Sequence, residues 1–284
     1  MNEKIILITG ASSGIGEAAA VQLKKSGFTV YAAARRVDRM RHLEAQGIYI
    51  LEMDITNDRS MVNAVDTIAE RHGRIDILVN SAGYGSYGAL EDVSISEAKY
   101  QFEVNVFGLA RLTQLVLPYM RKNKYGKIIN ISSIGGKIYE PLGAWYHATK
   151  FAVEGLSDCL RLEVKGFGID VIVIEPGSIK TEWAKIAVEN LLKTSGSTAY
   201  SDMARRHANL LKIDNVGSDP ALIAKVIEKA INSKKPKIRY VAGVLAKPSI
   251  FFRKITSDKL YDKLQMALIK HADITAQKKE EIRK

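Results

Sequence analysis

The sequence predicts an α/β protein built on a single doubly wound parallel sheet of about seven strands. Helices cover both faces, and a C-terminal helical extension follows. Three observations carry this. Short β-branched runs alternate with helix-length segments whose apolar residues recur at three- and four-residue spacing. The runs are near-continuously apolar, as expected of strands buried on both faces by crossover helices. The first run, KIILIT, leads directly into a glycine-rich turn that opens a helix.

Strands are expected at 4–9, 28–34, 48–53, 75–80, 126–132, 169–175 and 237–242, with helices at 15–26, 38–46, 58–72, 96–122, 145–166 and 220–233. Asp219 before Pro220 reads as a cap followed by proline at the first helical position. These elements make one doubly wound α/β domain, residues 1–242. Within it, 178–217 interrupts the alternation with a polar stretch, TSGSTAYSD. It is read as a mobile insertion covering a substrate at the carboxyl ends of the strands, with a plain surface loop as the alternative. Residues 243–284 form a basic amphipathic extension.

Composition narrows the class. The 284 residues are 46% hydrophobic, ordinary for a globular chain. The single cysteine, Cys159, cannot form an internal disulfide, which excludes a disulfide-stapled scaffold. No apolar run approaches the roughly 18–20 residues of a membrane span, and the apolar stretch in MNEKIILITG is too short for a signal peptide. The expected setting is the cytoplasm. The net charge of +11 is uneven: fourteen Lys/Arg against five Asp/Glu between Ile231 and Lys284 give +9, leaving +2 for the first 230 residues.

The turn Thr9-Gly10-Ala11-Ser12-Ser13-Gly14-Ile15-Gly16 lies between a strand and a helix. Glycines let the backbone approach a pyrophosphate, and the helix N-terminus offers unpaired N–H groups. The spacing GxxxGxG differs from the GxGxxG fingerprint, but the strand–turn–helix setting is what the mechanism requires. Gly10, Ser12, Ser13, Gly14, Ile15 and Gly16 are therefore cofactor candidates. The second strand ends in Arg35-Arg36 with no acid at its tip, favouring NADP(H) over NAD, with Arg35 as the main 2′-phosphate partner. Two solvated arginines are the plainer reading. Asp54, closing the third strand beside Ile55, suits either an adenine edge or a helix cap.

Tyr146 and Lys150 stand four apart in YHATK, on one face of a helix. An adjacent ammonium favours phenolate, which brings a phenol toward useful acid–base chemistry. Alone, such a pair also fits an exposed helix face. Ser133 ends the fifth strand, where it could donate to a substrate oxygen, and Asn105 sits in a helix that asparagine does not favour. His147, next to Tyr146, is assigned to packing or surface. The five histidines and the cysteine lack metal-ligand spacing, so no catalytic metal is expected.

Together, TGASSGIG, NSAG, the helical Asn105, the serine of SSIGG, YHATK and PGSIKT resemble the short-chain dehydrogenase/reductase family, in family order over residues 4–181. NSAG departs slightly from the commoner NNAG. The resemblance implies a Rossmann-type fold and an NADP(H)-dependent oxidoreductase acting on a carbonyl/alcohol pair. It implies Tyr146 as acid/base, Lys150 lowering its pKa and holding the nicotinamide ribose, Ser133 orienting the substrate oxygen, and Asn105 supporting a relay water. Ile55, Asn80, Ala82, Gly83, Pro176, Gly177, Ile179 and Thr181 join the cofactor set. It implies a homodimer or homotetramer as well.

Residues 84–87 and 140–142 with Trp183 are expected to line an aromatic and apolar substrate cleft. Ser257 could cap a helix bearing Leu260, Leu264 and Leu268 on one face, preceded by an apolar cluster of Val244, Leu245, Ile250, Phe251 and Phe252. Family members with such extensions act on lipophilic carbonyls or alcohols. The tail then closes the pocket and touches an anionic membrane, or docks on the core with its lysines solvated. A non-catalytic NADP(H)-binding regulator is the alternative function. Nucleic-acid binding lacks a motif, and no nucleic-acid partner is expected.

Overall fold

The computed structural model describes residues 4–213 and 217–281. Seven strands form one all-parallel sheet: β1 (Ile5–Thr9), β2 (Thr29–Ala34), β3 (Tyr49–Glu52), β4 (Ile77–Asn80), β5 (Gly126–Ile131), β6 (Ile169–Pro176) and β7 (Arg239–Ala242). Their order is β3-β2-β1-β4-β5-β6-β7. Each predicted strand is present, and the inner ones are buried on both faces. Side-chain alternation splits the core in two. Ile6 and Ile8 of β1 pack with α1 (Gly14–Lys25) and α9 (Pro220–Asn232), while Ile5 and Leu7 face α3 (Asp58–His72) and α5 (Gly108–Lys122).

Local signals account for the ends of these elements. Asp219 accepts from the N–H of Ala221 at 2.7 Å, capping α9 as expected. The far end of α9 is closed by a buried lysine: Lys127 Nζ donates to the carbonyls of Ile231 and Ser233 at 2.6 Å each, meeting acceptors that a helix C-terminus leaves open.

Two expectations need correction. The single helix foreseen at 96–122 is α4 (Ile95–Phe102) and α5, joined by a π-helical turn over Glu103–Phe107. Asn105 lies in that turn, where one extra residue per turn sets it off from the regular helix face. The insertion at 178–217, expected as a mobile cover with a surface loop as the alternative, contains two helices, α7 (Glu182–Ser195) and α8 (Ser201–Ile213). Their buried Ala187, Val188 and Leu191 meet Ala204, Ala208 and Leu211 in a third core cluster. The polar TSGSTAYSD stretch spans the turn between them and masks the two amphipathic faces on either side.

The extension consists of α10 (Ala246–Ile255) and α11 (Asp258–Glu281). Ser257 receives the N–H of Leu260 at its hydroxyl, at 3.4 Å. Among the described residues of α11, Tyr261, Ile269 and Ala272 are buried, whereas Leu260, Leu264 and Leu268 stay exposed. Leu245, Phe251 and Phe252 are exposed too, so the foreseen apolar cluster is an open apolar surface. No helix among the described residues is long and apolar enough to cross a membrane.

Candidate active site

The sheet order reverses direction between β1 and β4, so the loops leaving these strands part and open a crevice. Thr9 holds its floor together: its hydroxyl accepts from the N–H groups of Ser81 and Ala82 at 3.0 and 2.9 Å. Gly10 follows at φ +67°, and a Cβ there would stand 2.8 Å from the Ala82 backbone. Gly14 has φ +60° and faces the Thr181 side chain. Ser13, at the α1 N-cap, makes no side-chain capping bond. The positive end of α1 therefore opens into the crevice as an anion cradle.

From this cradle a cavity of about 800 Å³ runs across the carboxyl ends of the strands. Gly10, Ser12, Ser13, Gly14, Ile15, Gly16, Arg35, Arg36, Asp54 and Ile55 line its first end. Ala82, Gly83, Ser133, Tyr146, Lys150, Pro176, Gly177, Ile179 and Thr181 line its middle. Two expected members lie behind the wall. Asn80 is buried, donating from Nδ2 to Asn130 Oδ1 at 2.9 Å. Asn105 donates to the Tyr84 carbonyl at 2.9 Å and accepts from its N–H at 3.1 Å, which clamps the loop after β4. Asp54 holds the following turn, accepting from Thr56 N–H and hydroxyl at 2.9 and 2.8 Å, while Asn57 caps α3.

At the cavity centre, Tyr146 and Lys150 project from α6 (Ala144–Val164). Burial pushes the Tyr146 phenol up to about 12, against the opposing pull of its hydrogen bond with Ser133. Ser133 is itself oriented by accepting the Gly135 N–H at 3.0 Å. Lys150 Nζ donates to the Ile131 carbonyl at 3.0 Å and lies 5.9 Å from the Tyr146 ring centroid. Burial brings its ammonium down to about 8, partly offset by the Glu154 carboxylate.

Arginines gather at the nucleotide end. Arg35 donates to the Tyr100 hydroxyl at 2.8 Å, and Arg36 to the Ser12 hydroxyl at 3.3 Å. Arg39, which the strand-end pattern did not single out, grips Glu182 with bonds of 3.0 and 2.8 Å. Glu182 also stands 3.9 Å from Arg36. These residues fit an anionic dinucleotide: an open helix N-terminus, a backbone with no room for side chains, and exposed guanidinium groups beside β2.

The other end is aromatic, as expected. Tyr146 lies 5.7 Å from Tyr87 and 5.1 Å from Trp183 between ring centroids. Leu210 and Leu211 of α8, with Leu245, Leu268 and Ile269 of the tail, complete this end. Of the two readings for His147, packing or surface, burial selects packing. Its ring lines the cavity and hydrogen-bonds from Nδ1 to the Gly135 carbonyl at 2.9 Å. Glu140 sits between it and His207, a residue the sequence did not single out, because 67 residues separate it from Glu140.

The short chain dehydrogenase family model matches residues 4–191. The chain belongs to that family. This short chain dehydrogenase is 38% identical, over 270 residues, to a 3-ketodihydrosphingosine reductase of Bacteroides thetaiotaomicron; the match covers 94% of this chain and 97% of the relative. It is 32% identical over 277 residues to an NADPH-dependent 3-dehydrocapnine reductase of Ornithobacterium rhinotracheale, covering 91% and 94%. A solved short-chain dehydrogenase from Streptomyces avermitilis superposes with a TM-score of 0.79 at 31% identity, over 98% of each chain. The protein is thus an oxidoreductase of the family, whose members use nicotinamide cofactors.

Proposed function

We propose that this dehydrogenase reduces the ketone of a long-chain lipid with NADPH. One observation carries the reading: Ser133, Tyr146 and Lys150 converge at the centre of a cavity that is cationic at one end and apolar at the other. The relatives named for reducing keto compounds support it. When bound, the cofactor supplies the hydride that the carbonyl carbon takes. Arg35 and Arg36 hold the 2′-phosphate, and the α1 N-terminus with Gly10, Ser12, Ser13, Ile15 and Gly16 receives the pyrophosphate. Asp54 and Ile55 border the adenine, Lys150 holds the nicotinamide ribose, and Ala82, Gly83, Pro176, Gly177, Ile179 and Thr181 surround the nicotinamide.

Burial keeps Tyr146 protonated, so its hydroxyl gives a proton to the carbonyl oxygen. Ser133 donates to the same oxygen, and the Lys150 cation steadies the phenolate left behind. Asn105 and Asn80 fix the loop and the strand end that frame this geometry. The decisive test is a screen of long-chain ketones and alcohols with NADPH and NADH, followed by loss of reduced-nicotinamide absorbance. Bound cofactor without turnover of any carbonyl or alcohol would instead indicate a regulator.

Two further readings belong here. Phe107, Phe151 and Leu162 are exposed on the segment from the π-helical turn to α6, which favours a homodimer or homotetramer through those helices. Light scattering at a single sharp mass of one chain would overturn that. The exposed Leu245, Phe251, Phe252 and Ile255 beside Lys247 and Lys254 favour contact with an anionic membrane at the cytoplasmic side. Co-sedimentation with anionic vesicles should fall when the chain is cut near Val244, and equal binding removes the idea.

A further inference from the structure

Behind the catalytic helix, outside the cavity lining, lies a group of buried charges. Glu154 follows Lys150 by one turn of α6, and Glu175 stands on β6 just before Pro176. Their side chains are only 5% and 2% accessible. Lys137 Nζ, beyond β5, reaches Glu154 Oε2 at 2.8 Å and Glu175 Oε1 at 3.8 Å. Arg239 of β7 reaches the same two oxygens at 2.9 and 3.3 Å, and Asp158 of α6 at 2.7 Å. Asp158 also pairs with Arg161. The neighbouring α10, packed on β7 and the turn Ile134–Gly136, directs Arg253 to Asp258 instead.

The two glutamates carry one negative charge between them. Oε1 of each is buried and accepts from no N–H or O–H of the described residues. Ionised carboxylates are acceptors only, so these two can bond to each other only across a shared proton. Glu175 is hydrogen-bonded to Glu154, and burial together with the Glu154 charge holds it well above the usual carboxylate range. The proton therefore resides on Glu175, and Glu154 is the ionised member.

That charge faces Lys150. Residues four apart on a helix share a face, and the packing here is close: a Cβ at Gly136 would stand 2.9 Å from Glu154 Cγ and 3.0 Å from the Lys150 carbonyl. Lys150 is buried, and its Nζ donates to a neutral group, the Ile131 carbonyl. Burial favours the free amine, and the Glu154 carboxylate opposes it.

We propose that Glu154 is a positioning residue for the reaction, its carboxylate keeping Lys150 an ammonium beside Tyr146 while Glu175 holds the proton that the pair shares. This rests on the roles given above to Tyr146 and Lys150 and deepens them. Glu154 touches neither substrate nor cofactor, and the pair exchanges no proton with the reacting atoms. The arrangement has a consequence for substitutions. In Glu175→Gln the charge stays on Glu154. In Glu154→Gln, Glu175 loses the neighbour that kept it protonated, so it ionises and returns the charge to the cluster from β6 instead of α6. Only the double variant leaves Lys150 without either.

The test follows Lys150 by NMR of protein labelled with 13C at lysine Cε, its signal identified by its loss in Lys150→Met. The wild-type ammonium should lose its proton near pH 8. Its midpoint should stay within about 0.2 in Glu175→Gln, fall by about 0.5 in Glu154→Gln, and fall by about one pH unit in the double variant. An unchanged midpoint in the double variant overturns the assignment. Should that variant not fold, Glu154→Gln decides alone, and no fall there overturns it. Turnover is read separately, with NADPH and a long-chain ketone. The double variant should lose about tenfold in kcat/KM at pH 9 and agree with the wild type within about twofold at pH 6, whereas a merely structural defect lowers both alike. A moved midpoint without this loss overturns the reaction role of Lys150, and that of Glu154 with it. If no ketone is turned over, the proposed reaction fails, and the titration still judges whether Glu154 holds the Lys150 charge.

Discussion

The two ends of the cavity are built by different means. The nucleotide end is mostly backbone: a strand end, two glycines at positive φ and an uncapped helix N-terminus, with arginines added at the rim. The substrate end is assembled from side chains on separate segments, Tyr87 after β4, Glu140 before α6, Trp183 on α7, His207 on α8 and Leu268 on α11. The backbone end depends on one local turn. The side-chain end depends on α7, α8 and the tail staying docked, so its chemistry can change through single substitutions that leave the sheet intact.

Breaking the junction between the ends should have the largest effect. Tyr146→Phe should lower kcat by about 10³-fold while NADPH affinity, read by fluorescence titration, stays within about twofold. Turnover near the wild-type rate would remove the acid assignment. At the nucleotide end, Arg35→Ala should raise the NADPH KM by roughly 10-fold and leave the NADH KM nearly unchanged. Equal losses would show that the guanidinium does not meet the 2′-phosphate.

A smaller effect comes from the contact that bridges the ends. Glu182 begins a roof helix yet is held by Arg39 and lies near Arg36. A 2′-phosphate competes with it for the same cations. Glu182→Gln should therefore tighten NADPH by about threefold without affecting NADH, as befits an exposed pair; weaker NADPH binding would contradict this. The smallest effect is on stability. Glu140, held below its ordinary 4.5, contributes stability that is present above that pH and lost on acidification. His147, raised above 6.5, contributes stability that is present below 6.5 and lost as pH rises through its folded value. The pair is fullest between pH 4.5 and 6.5, and Glu140→Gln should lower Tm inside that window and flatten the falls of a Tm–pH profile on either side of it.

The sheet was legible because strands buried on both faces leave unbroken apolar runs, and Gly10, Asp219 and Pro220 marked their neighbours' limits. The nucleotide end was legible for the same local reason. The roof carried a readable signal as well, with Ala187, Val188 and Leu191 and then Ala204, Ala208 and Leu211 at helical spacing, but the polar residues between them drew the eye. Glu140, His147 and His207 form a cluster only after α8 folds against the segment that carries the first two. No periodicity encodes that meeting, and adjacency to Tyr146 on a helix does not say that His147 also reaches the cavity. On α11 the leucine spacing marks one face but not its partner: Tyr261, Ile269 and Ala272 are buried, Leu260 and Leu264 stay exposed, and Leu268 reaches the cavity rim.

Leu245 and Leu268 belong to two surfaces at once, lining the cavity while remaining 64% and 56% exposed. On the proposed reading, an alkyl chain that reaches them from within meets an apolar threshold, with Ser249 and Gln265 beside it in the lining and Phe251 and Phe252 exposed on the same extension. Such a doorway measures the head of a molecule and leaves its length unread. If the proposed long-chain substrate binds here, chains of different length share one catalytic centre, and the surplus carbons need shelter from whatever apolar phase lies outside.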